Sequence, residues 1–273
     1  MNLIVFDLDG TLLNDTSEIS LFTKETLSLL REKDIAYTVA TGRTLLSAQP
    51  IIDAHNFDLP QIYNNGVTIW DPKSQQLTLE NLLDSIEIST IIDVAQARGI
   101  TPFVNVIDTQ GQHYIFHTEA RHDIEKELIY KYFSKTKAKL LPIETLPANS
   151  QVTNISMIGP NKLIYDMWLE LNTRKNLIAY SGPSIQGNNF SWMDVHHCDA
   201  SKGNAVTNLK MQLGASNVIC FGDSDNDASM FAFADESYAP ENAKLEVKKS
   251  ASGVIGHNHA DGIAHFLRER FSL

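Results

Sequence analysis

The chain has 273 residues, 43% of them hydrophobic, which is enough for one large domain or two modest ones with sizeable cores. Its formal charge of −11 counts against general nucleic-acid binding, although a locally positive site could still hold a phosphorylated molecule. No apolar run approaches the roughly 18 residues of a membrane span, and the N-terminus does not resemble a signal peptide. We therefore expect a cytoplasmic globular protein that begins at residue 1. Cys198 and Cys220 form no C-x-x-C motif, and the apolar run around Cys220 predicts a buried free thiol.

Apolar strand-like runs alternate with helix-like segments at both ends of the chain. The early runs are NLIVF (2–6), a helix at 20–33, IAYTVA (35–40), a helix at 45–55 and PQIYN (60–64). The late runs are a helix at 201–214, NVICF (217–221), a helix from about Asn226 and a last helix at 260–271. Such alternation predicts parallel β-α-β units whose sheet is covered on both faces.

The middle of the chain has a different texture. Short alternating or aromatic-rich runs, separated by turn signals, predict antiparallel strands and hairpins. Helix-like segments at 85–99, 121–135 and 161–175 interrupt them. We therefore predict an α/β fold with a Rossmann-like parallel sheet flanked by helices, built from residues 1–82 and 196–273. An α+β domain is predicted to be inserted at 83–195.

Polar residues follow three of the predicted core strands. They are Asp7, Asp9, Gly10 and Thr11 after the first, Thr41, Gly42 and Arg43 after the second, and Gly222, Asp223, Asn226 and Asp227 after the third. Lys202 lies at the start of the helix before the third strand. Because the carboxyl ends of parallel strands meet at one sheet edge, we expect these side chains to lie together. They include oxygen ligands for a hard divalent cation and donors for a phosphate.

Each of these residues also has a structural explanation. An acidic pair followed by glycine can simply start a turn, and Asp9 followed by Gly10 is typical of one. The other structural explanations are a strand-end cap for Thr41, a surface charge for Arg43, a solvated first-turn residue for Lys202 and a first-turn acid for Asp227. The histidine pairs 196–197 and 257/259 lack a matching third ligand, and we predict that they are loop residues.

Four short motifs in this order resemble the haloacid dehalogenase (HAD) superfamily of phosphohydrolases: DLDGT (7–11), ATGR (40–43), SKG (201–203) and GDSDND (222–227). The insert position, YNNG (63–66) and the stretch from Glu241 to Gly262 resemble the Cof-like branch, which carries an α+β cap of type IIB between the second and third motifs. The resemblance implies that residues 1–82 and 196–273 form the catalytic core. It implies that residues 83–195 form a cap that reads the substrate.

The resemblance also implies roles for the residues at the strand ends. Asp7 would be the nucleophile that forms an aspartyl-phosphate, and Asp9 would be the general acid and base. Mg²⁺ would be held by the Asp7 carboxylate, the Asp9 main-chain carbonyl and Asp223. The phosphoryl oxygens would be held by main-chain N–H groups near Leu8 and by Thr41, Gly42, Lys202 and Asn226. Asp227 would orient Lys202 or a metal-bound water, and Arg43 would contact substrate or be structural.

These roles predict a Mg²⁺-dependent phosphatase that acts on a small phosphorylated metabolite, such as a sugar phosphate or a similar phosphomonoester. An acid at Asp9 disfavours the transport ATPases and dehalogenases of the superfamily, which lack it. A phosphomutase or phosphotransferase with the same core stays open, as does a phospho-aspartate regulatory module without turnover. The sequence leaves the substrate and the oligomeric state open, and it indicates neither a nucleic-acid nor a membrane partner.

Overall fold

The computed structural model describes residues 1–184 and 187–273. The chain forms two compact units, Met1–Glu80 with Ser201–Leu273, and Asn81–Ala200. The boundaries between the units lie within a few residues of the predicted boundaries at 82/83 and 195/196. That the first unit is a catalytic core and the second a cap stays a prediction. Within the described ranges, no helix is both long enough and apolar enough to cross a membrane.

The strands and helices alternate along the chain. The strands are β1 (Asn2–Phe6), β2 (Ala36–Val39), β3 (Gln61–Tyr63), β4 (Thr68–Asp71), β5 (Gln76–Leu79), β6 (Phe103–Ile107), β7 (His113–His117), β8 (Lys139–Pro142), β9 (Val152–Pro160), β10 (Leu177–Pro183), β11 (Phe190–His197), β12 (Asn217–Phe221), β13 (Glu236–Pro240) and β14 (Gly253–Ile255). The α-helices are α1 (Leu21–Glu32), α2 (Leu45–Ile52), α3 (Ser85–Ala97), α4 (Asp123–Lys131), α5 (Asn161–Leu171), α6 (Lys202–Leu213), α7 (Ala228–Phe233), α8 (Leu245–Ser250) and α9 (Gly262–Phe271).

The first unit contains a parallel sheet in the order β14-β13-β12-β1-β2. Its strands are apolar on both faces, so alternate residues of β1 enter different clusters: Ile4 and Phe6 enter one, Leu3 and Val5 the other. Burial on both faces explains why β1 and β12 are continuous apolar runs. A small antiparallel sheet, β3-β4-β5, completes this unit. The predicted parallel core is confirmed.

The second unit is built on a six-stranded sheet in the order β10-β11-β9-β6-β7-β8. All neighbouring strands are antiparallel except β7 and β8, which are parallel. Its main apolar cluster joins residues of α3 and α5, such as Ile91 and Met167, to sheet residues such as Ile155 and Val195. The predicted α+β character of the insert is confirmed.

Several elements differ from the sequence-based expectation. The strands β8, β10, β13 and β14 are not predicted by the pattern. The prediction that His196 and His197 are loop residues is wrong, because the antiparallel pairing of β11 with β10 continues to the pair Leu177 and His197. The helix expected from about Asn226 begins at Ala228, after one 3-10 turn over Asp225–Asp227.

Candidate active site

The turn after β1 places the first pair of carboxylates. The Asp7 N–H donates to the Phe221 carbonyl at 2.9 Å, which continues the pairing of β1 with β12 to the end of the strand. The chain then turns over Leu8–Leu12, with Gly10 in the left-handed region at φ +72°. A Cβ at Gly10 would lie 2.6 Å from Asp223 Oδ2, so both the backbone conformation and the space require glycine.

A buried charge cluster lies at this sheet edge. Lys202 is fully buried, and its Nζ donates to Asp7 Oδ1 at 2.6 Å and to Asp227 Oδ1 at 2.7 Å. Burial alone would lower the pKa of Lys202, but the two carboxylates raise it above its ordinary value. The ammonium is therefore charged, and it compensates for carboxylates that would otherwise be costly to bury.

Asp227 holds the loop after β12 in place. Its Oδ2 accepts the main-chain N–H groups of Asp223 and Ser224, both at 2.9 Å, while its Oδ1 faces Lys202. Both of its carboxylate oxygens are thus used within the protein. Asp227 orients Lys202 and fixes the main chain that carries Asp223.

A cation would stabilise the ionised side chains of Asp7 and Asp223. Burial raises the pKa of Asp7 well above its ordinary value, opposed by Lys202 and reinforced by Asp227 and Asp223. Burial, and then Asp227, raises the pKa of Asp223 to about 6. Carboxylate oxygens of the three aspartates lie within 4.8 Å of one another. Asp227 is fully buried and its oxygens hold Lys202 and two main-chain N–H groups, so Asp7 and the partly exposed Asp223 are the carboxylates that fit a hard divalent ion such as Mg²⁺.

Asp9 lies in a different environment from Asp7. Arg43 binds its carboxylate through two hydrogen bonds, Nε to Oδ2 at 2.6 Å and Nη2 to Oδ1 at 2.5 Å. The side chain of Asp9 is 53% exposed and that of Arg43 24% exposed. The carboxylate raises the pKa of Arg43 through this hydrogen bonding, against the effect of burial. The pair is a two-point ion pair that is open to solvent.

Thr41, Gly42 and Asn226 lie around a third group of polar atoms. Thr41 Oγ1 accepts the Arg43 N–H at 3.1 Å, which links the second motif to the Asp9 pair. Asn226 Nδ2 donates to Asn65 Oδ1 at 2.9 Å. A Cβ at Gly42 would lie 3.3 Å from that Asn65 oxygen and 3.4 Å from Asn226 Nδ2. Gly42 therefore lets the main chain approach both amides closely.

The fold brings the predicted site residues together in these three groups. The side chain of Leu8 is fully buried in the apolar core, so only its main chain can serve a ligand. Asp223 Oδ1 accepts a hydrogen bond from Thr11 Oγ1 at 3.3 Å. Thr11 is one of the polar residues expected at this sheet edge, but no role was predicted for it, and Asn65 was noted only as part of YNNG (63–66).

Two further asparagines were missed by the pattern. Asn242 Nδ2 donates to the Gly10 carbonyl at 2.7 Å, and Asn258 Nδ2 donates to the Leu13 carbonyl at 2.8 Å. The Asn258 N–H in turn donates to Asn242 Oδ1 at 3.1 Å. Both asparagines follow strand ends, those of β13 and β14, and would have been found by the strand-end rule had those strands been predicted.

Residues 4–267 match the family of haloacid dehalogenase-like hydrolases. The chain belongs to this family. The predicted membership, in the branch with an α+β unit between the second and third motifs, is confirmed.

Two curated relatives of this hydrolase match over nearly its whole length. The 5-amino-6-(5-phospho-D-ribitylamino)uracil phosphatase YwtE of Bacillus subtilis is 27% identical, with 100% of this chain and 99% of the relative covered. The pyridoxal phosphate phosphatase YbhA of Escherichia coli is 27% identical, with 97% and 96% covered.

Solved structures have the same fold as this hydrolase. A haloacid dehalogenase-like hydrolase from B. subtilis superimposes with a TM-score of 0.79 at 23% identity, covering 98% of this chain and 99% of the other. The HAD subclass IIB sugar phosphatase BT4131 superimposes with a TM-score of 0.77 at 19% identity, covering 100% and 99%.

Proposed function

We propose that this hydrolase is a Mg²⁺-dependent phosphatase that cleaves a small phosphomonoester through an aspartyl-phosphate on Asp7. One observation carries the proposal: two carboxylates of one turn, Asp7 and Asp9, are held in opposite environments. Asp7 is buried against Lys202, whereas Asp9 is half exposed against Arg43. A fixed nucleophile and a separate proton-transfer group require such a division.

Asp7 is suited to the nucleophilic step. Lys202 holds Oδ1, and within residues 1–184 and 187–273 the other carboxylate oxygen, Oδ2, accepts no hydrogen bond. That oxygen would form a bond to phosphorus while the ester P–O bond breaks and its electron pair leaves with the alcohol oxygen. Lys202, Asn226 and the main chain at Gly42 would bind the phosphoryl oxygens, which is the main demand of phosphoryl transfer.

Asp9 would move the protons in both half-reactions. In its protonated form it gives a proton to the departing alcohol oxygen. In its ionised form it takes a proton from the water that attacks phosphorus, after which the acyl-phosphate P–O bond breaks and Asp7 is regenerated. Arg43 donates one N–H bond to each carboxylate oxygen of Asp9, which leaves a second lone pair on each oxygen for the proton.

Asp7 and Asp223 would hold Mg²⁺, together with the Asp9 main-chain carbonyl. When bound, the ion would place positive charge against the phosphoryl oxygens and relieve the repulsion between the two carboxylates. Thr11 and Ser224 orient the Asp223 carboxylate through hydrogen bonds at 3.3 and 3.1 Å. Gly10 leaves the space in which that carboxylate lies.

The substrate class is a small phosphorylated metabolite, with sugar phosphates as the first candidates. Support comes from the relatives named for 5-amino-6-(5-phospho-D-ribitylamino)uracil and pyridoxal phosphate, and from the sugar phosphatase with the same fold. We assign the selection among such substrates to the second unit, Asn81–Ala200. A cytoplasmic location is part of this proposal.

Phosphate release from a panel of phosphomonoesters, with Mg²⁺ and with a chelator, tests the function. We expect release from at least one sugar phosphate or related ester, its loss with chelator, and its recovery when Mg²⁺ is restored. The absence of release across the panel, or equal release by Asp7→Asn, would contradict the proposal.

The same assay separates the two alternatives. An isomerised or doubly phosphorylated sugar without free phosphate would identify a phosphomutase. A stable aspartyl-phosphate that is never hydrolysed would identify a regulatory module. Mass spectrometry of the protein and of the products distinguishes the three outcomes.

A further inference from the structure

Three consecutive residues at the end of β11 bring different ligand types together. His197 ends the strand, and Cys198 and Asp199 follow it in the turn toward α6. A ring nitrogen, the thiol sulfur and a carboxylate oxygen of these residues lie within 4.8 Å of one another. Both cysteines of the chain are free thiols. Nitrogen, sulfur and oxygen donors in one cluster suit a borderline cation such as Zn²⁺ better than Mg²⁺.

Two of the three separations are close to those of a metal site. Cys198 Sγ lies 3.8 Å from Asp199 Oδ1, and His197 Nδ1 lies 3.8 Å from Asp199 Oδ2. Zinc bonds to sulfur, nitrogen and oxygen in a tetrahedral site put ligand atoms roughly 3.3 to 3.6 Å apart. The two measured separations therefore exceed that range by a few tenths of an ångström, and the His197 nitrogen and the Cys198 sulfur lie within 4.8 Å of each other in a turn that is open to solvent.

Glu87 is a second and independent feature of the same place. Its Oε1 is buried and has no hydrogen-bond partner among the described residues, and it lies 3.7 Å from His197 Nε2. Its Oε2 accepts the Asp84 N–H at 2.8 Å in the capping box of α3, which fixes the carboxylate. The Asp199 N–H donates to His197 Nδ1 at 3.2 Å. The Nδ1 lone pair therefore faces the turn, and the ring proton on Nε2 faces Glu87.

We infer that His197, Cys198 and Asp199 form a second cation site, of Zn²⁺ type, and that Glu87 orients its histidine. A cation would take the Nδ1 lone pair in place of the Asp199 N–H. The carboxylate behind Nε2 is the partner that metal-binding histidines commonly have, and it accounts for the unpaired oxygen of Glu87. Solvent would fill the remaining coordination position. The site lies wholly in the second unit and does not depend on the reaction proposed above.

Cobalt titration of the chelator-treated full chain tests the site, with excess Mg²⁺ present to occupy the aspartate cluster. Co²⁺ bound through a thiolate gives a sulfur-to-metal charge-transfer band, which oxygen ligands alone cannot give. We expect one equivalent of Co²⁺ with this band, displaced by Zn²⁺. Cys198→Ser should abolish the band, and Asp223→Asn, which removes the other cluster, should keep it.

Affinity measurements test the role of Glu87. Glu87→Gln keeps an oxygen for the capping box, and we expect it to weaken Co²⁺ binding about 10- to 100-fold. His265→Gln, a change of an exposed histidine on α9, is the matched control and should bind like the parent. Circular dichroism confirms that each variant is folded. No thiolate band in the parent, or a band that survives in Cys198→Ser, would overturn the site, and parent-like affinity in Glu87→Gln would overturn the role of Glu87.

Discussion

The ion pairs Lys202–Asp7 and Arg43–Asp9 differ in burial and hardly in distance. The shortest N–O separations are 2.6 Å and 2.5 Å. The side chains of the first pair are 0% and 7% exposed, and those of the second are 24% and 53% exposed. Asp7 and Asp9 lie on the same turn of the chain. The two ion pairs therefore differ mainly in how far solvent reaches them.

Burial decides how easily each pair can come apart. Removing one member of a buried pair leaves an uncompensated charge and costs about 3 to 5 kcal/mol, whereas an exposed pair contributes about 1 kcal/mol or less. Lys202 is therefore a permanent partner that fixes Asp7. Arg43 is an exchangeable partner, which suits the proposed role of Asp9 as a carboxylate that gains and loses a proton.

The largest expected effect comes from Asp7, the proposed nucleophile. Asp7→Asn should lower phosphate release by about 10⁴-fold or more, because the amide cannot form the covalent intermediate. Steady-state phosphate release measures this loss. Asp225→Asn, which changes an exposed carboxylate of the fourth motif, is the control and should keep activity close to the parent. Comparable losses in the two variants would remove the distinction between them.

Substitution of Asp9, which belongs to the exposed ion pair, should lower activity without lowering the stability of the fold. Asp9→Asn should lower turnover by about 10² to 10⁴-fold, the range of general acid-base catalysis. Its unfolding free energy in urea should stay within about 1 kcal/mol of the parent, since its ion pair is open to solvent. A stability loss as large as that of a buried pair would show that Arg43–Asp9 is structural.

Substitution of Lys202 should show how much the buried ion pair contributes to the free energy of unfolding. Lys202→Met leaves Asp7 and Asp227 buried without a cation, and the unfolding free energy should fall by about 3 to 5 kcal/mol. Lys210→Met, on the same helix, breaks a partly exposed pair with Asp235 and should cost about 1 kcal/mol or less. Urea denaturation in the presence of chelator measures both variants, and equal losses would contradict the comparison.

The smallest expected effect is that the stability of the fold depends on pH when no divalent cation is present. The pKa of Asp223 is raised to about 6, so the folded protein binds its proton more tightly than the unfolded chain. Asp223 therefore stabilises the fold below about pH 4, and this contribution is lost as pH rises through 6, a change of about 1 to 3 kcal/mol. Urea midpoints between pH 4 and 7 in chelator should fall with pH, and less so in Asp223→Asn. Added Mg²⁺ should restore the midpoint at pH 7.

Asp235 provides a control with the opposite sign. Lys210 lowers the pKa of this partly exposed carboxyl, so its contribution is present above the ordinary aspartate range and is lost as pH falls. Asp235→Asn should therefore leave the decline between pH 4 and 7 intact. A flattened decline in this variant would mean that Asp223 is not its source.

The strand ends of the core could be predicted because their signal is local. An apolar run that stops at a carboxylate, as at Phe6–Asp7, or at a glycine and a carboxylate, as at Phe221–Asp223, marks a buried strand with a polar edge. The strand β13 (ESYAP) is as long as β1 but begins with glutamate and serine and ends with proline, and β14 has only three residues, so neither is an apolar run with that signal. Asn242 and Asn258 were missed for the same reason.

Pairings between distant residues could not be predicted from pattern. Asp9 and Arg43 are 34 positions apart, and either could have faced solvent alone. In the sequence His197 stands next to His196 as a histidine pair. Both residues lie on a strand, where neighbouring side chains point to opposite faces, so the two histidines do not face one site. In the structure His197 lies close to Cys198 and Asp199, and also to Glu87 of α3. The contact with Glu87 depends on the packing of distant segments and is not visible in the sequence.

The central place of β1 has a consequence for the order of events during synthesis. This strand lies between β2 and β12, and its partner Asn217–Phe221 is made long after it. The unit Asn81–Ala200 leaves the ribosome complete while β1 still has an open edge and Asp7 still lacks Lys202. The proposed catalytic centre is therefore among the last parts of the chain to assemble, and a chain that stops before Phe221 carries Asp7, the proposed nucleophile, without Asp223 and Asp227.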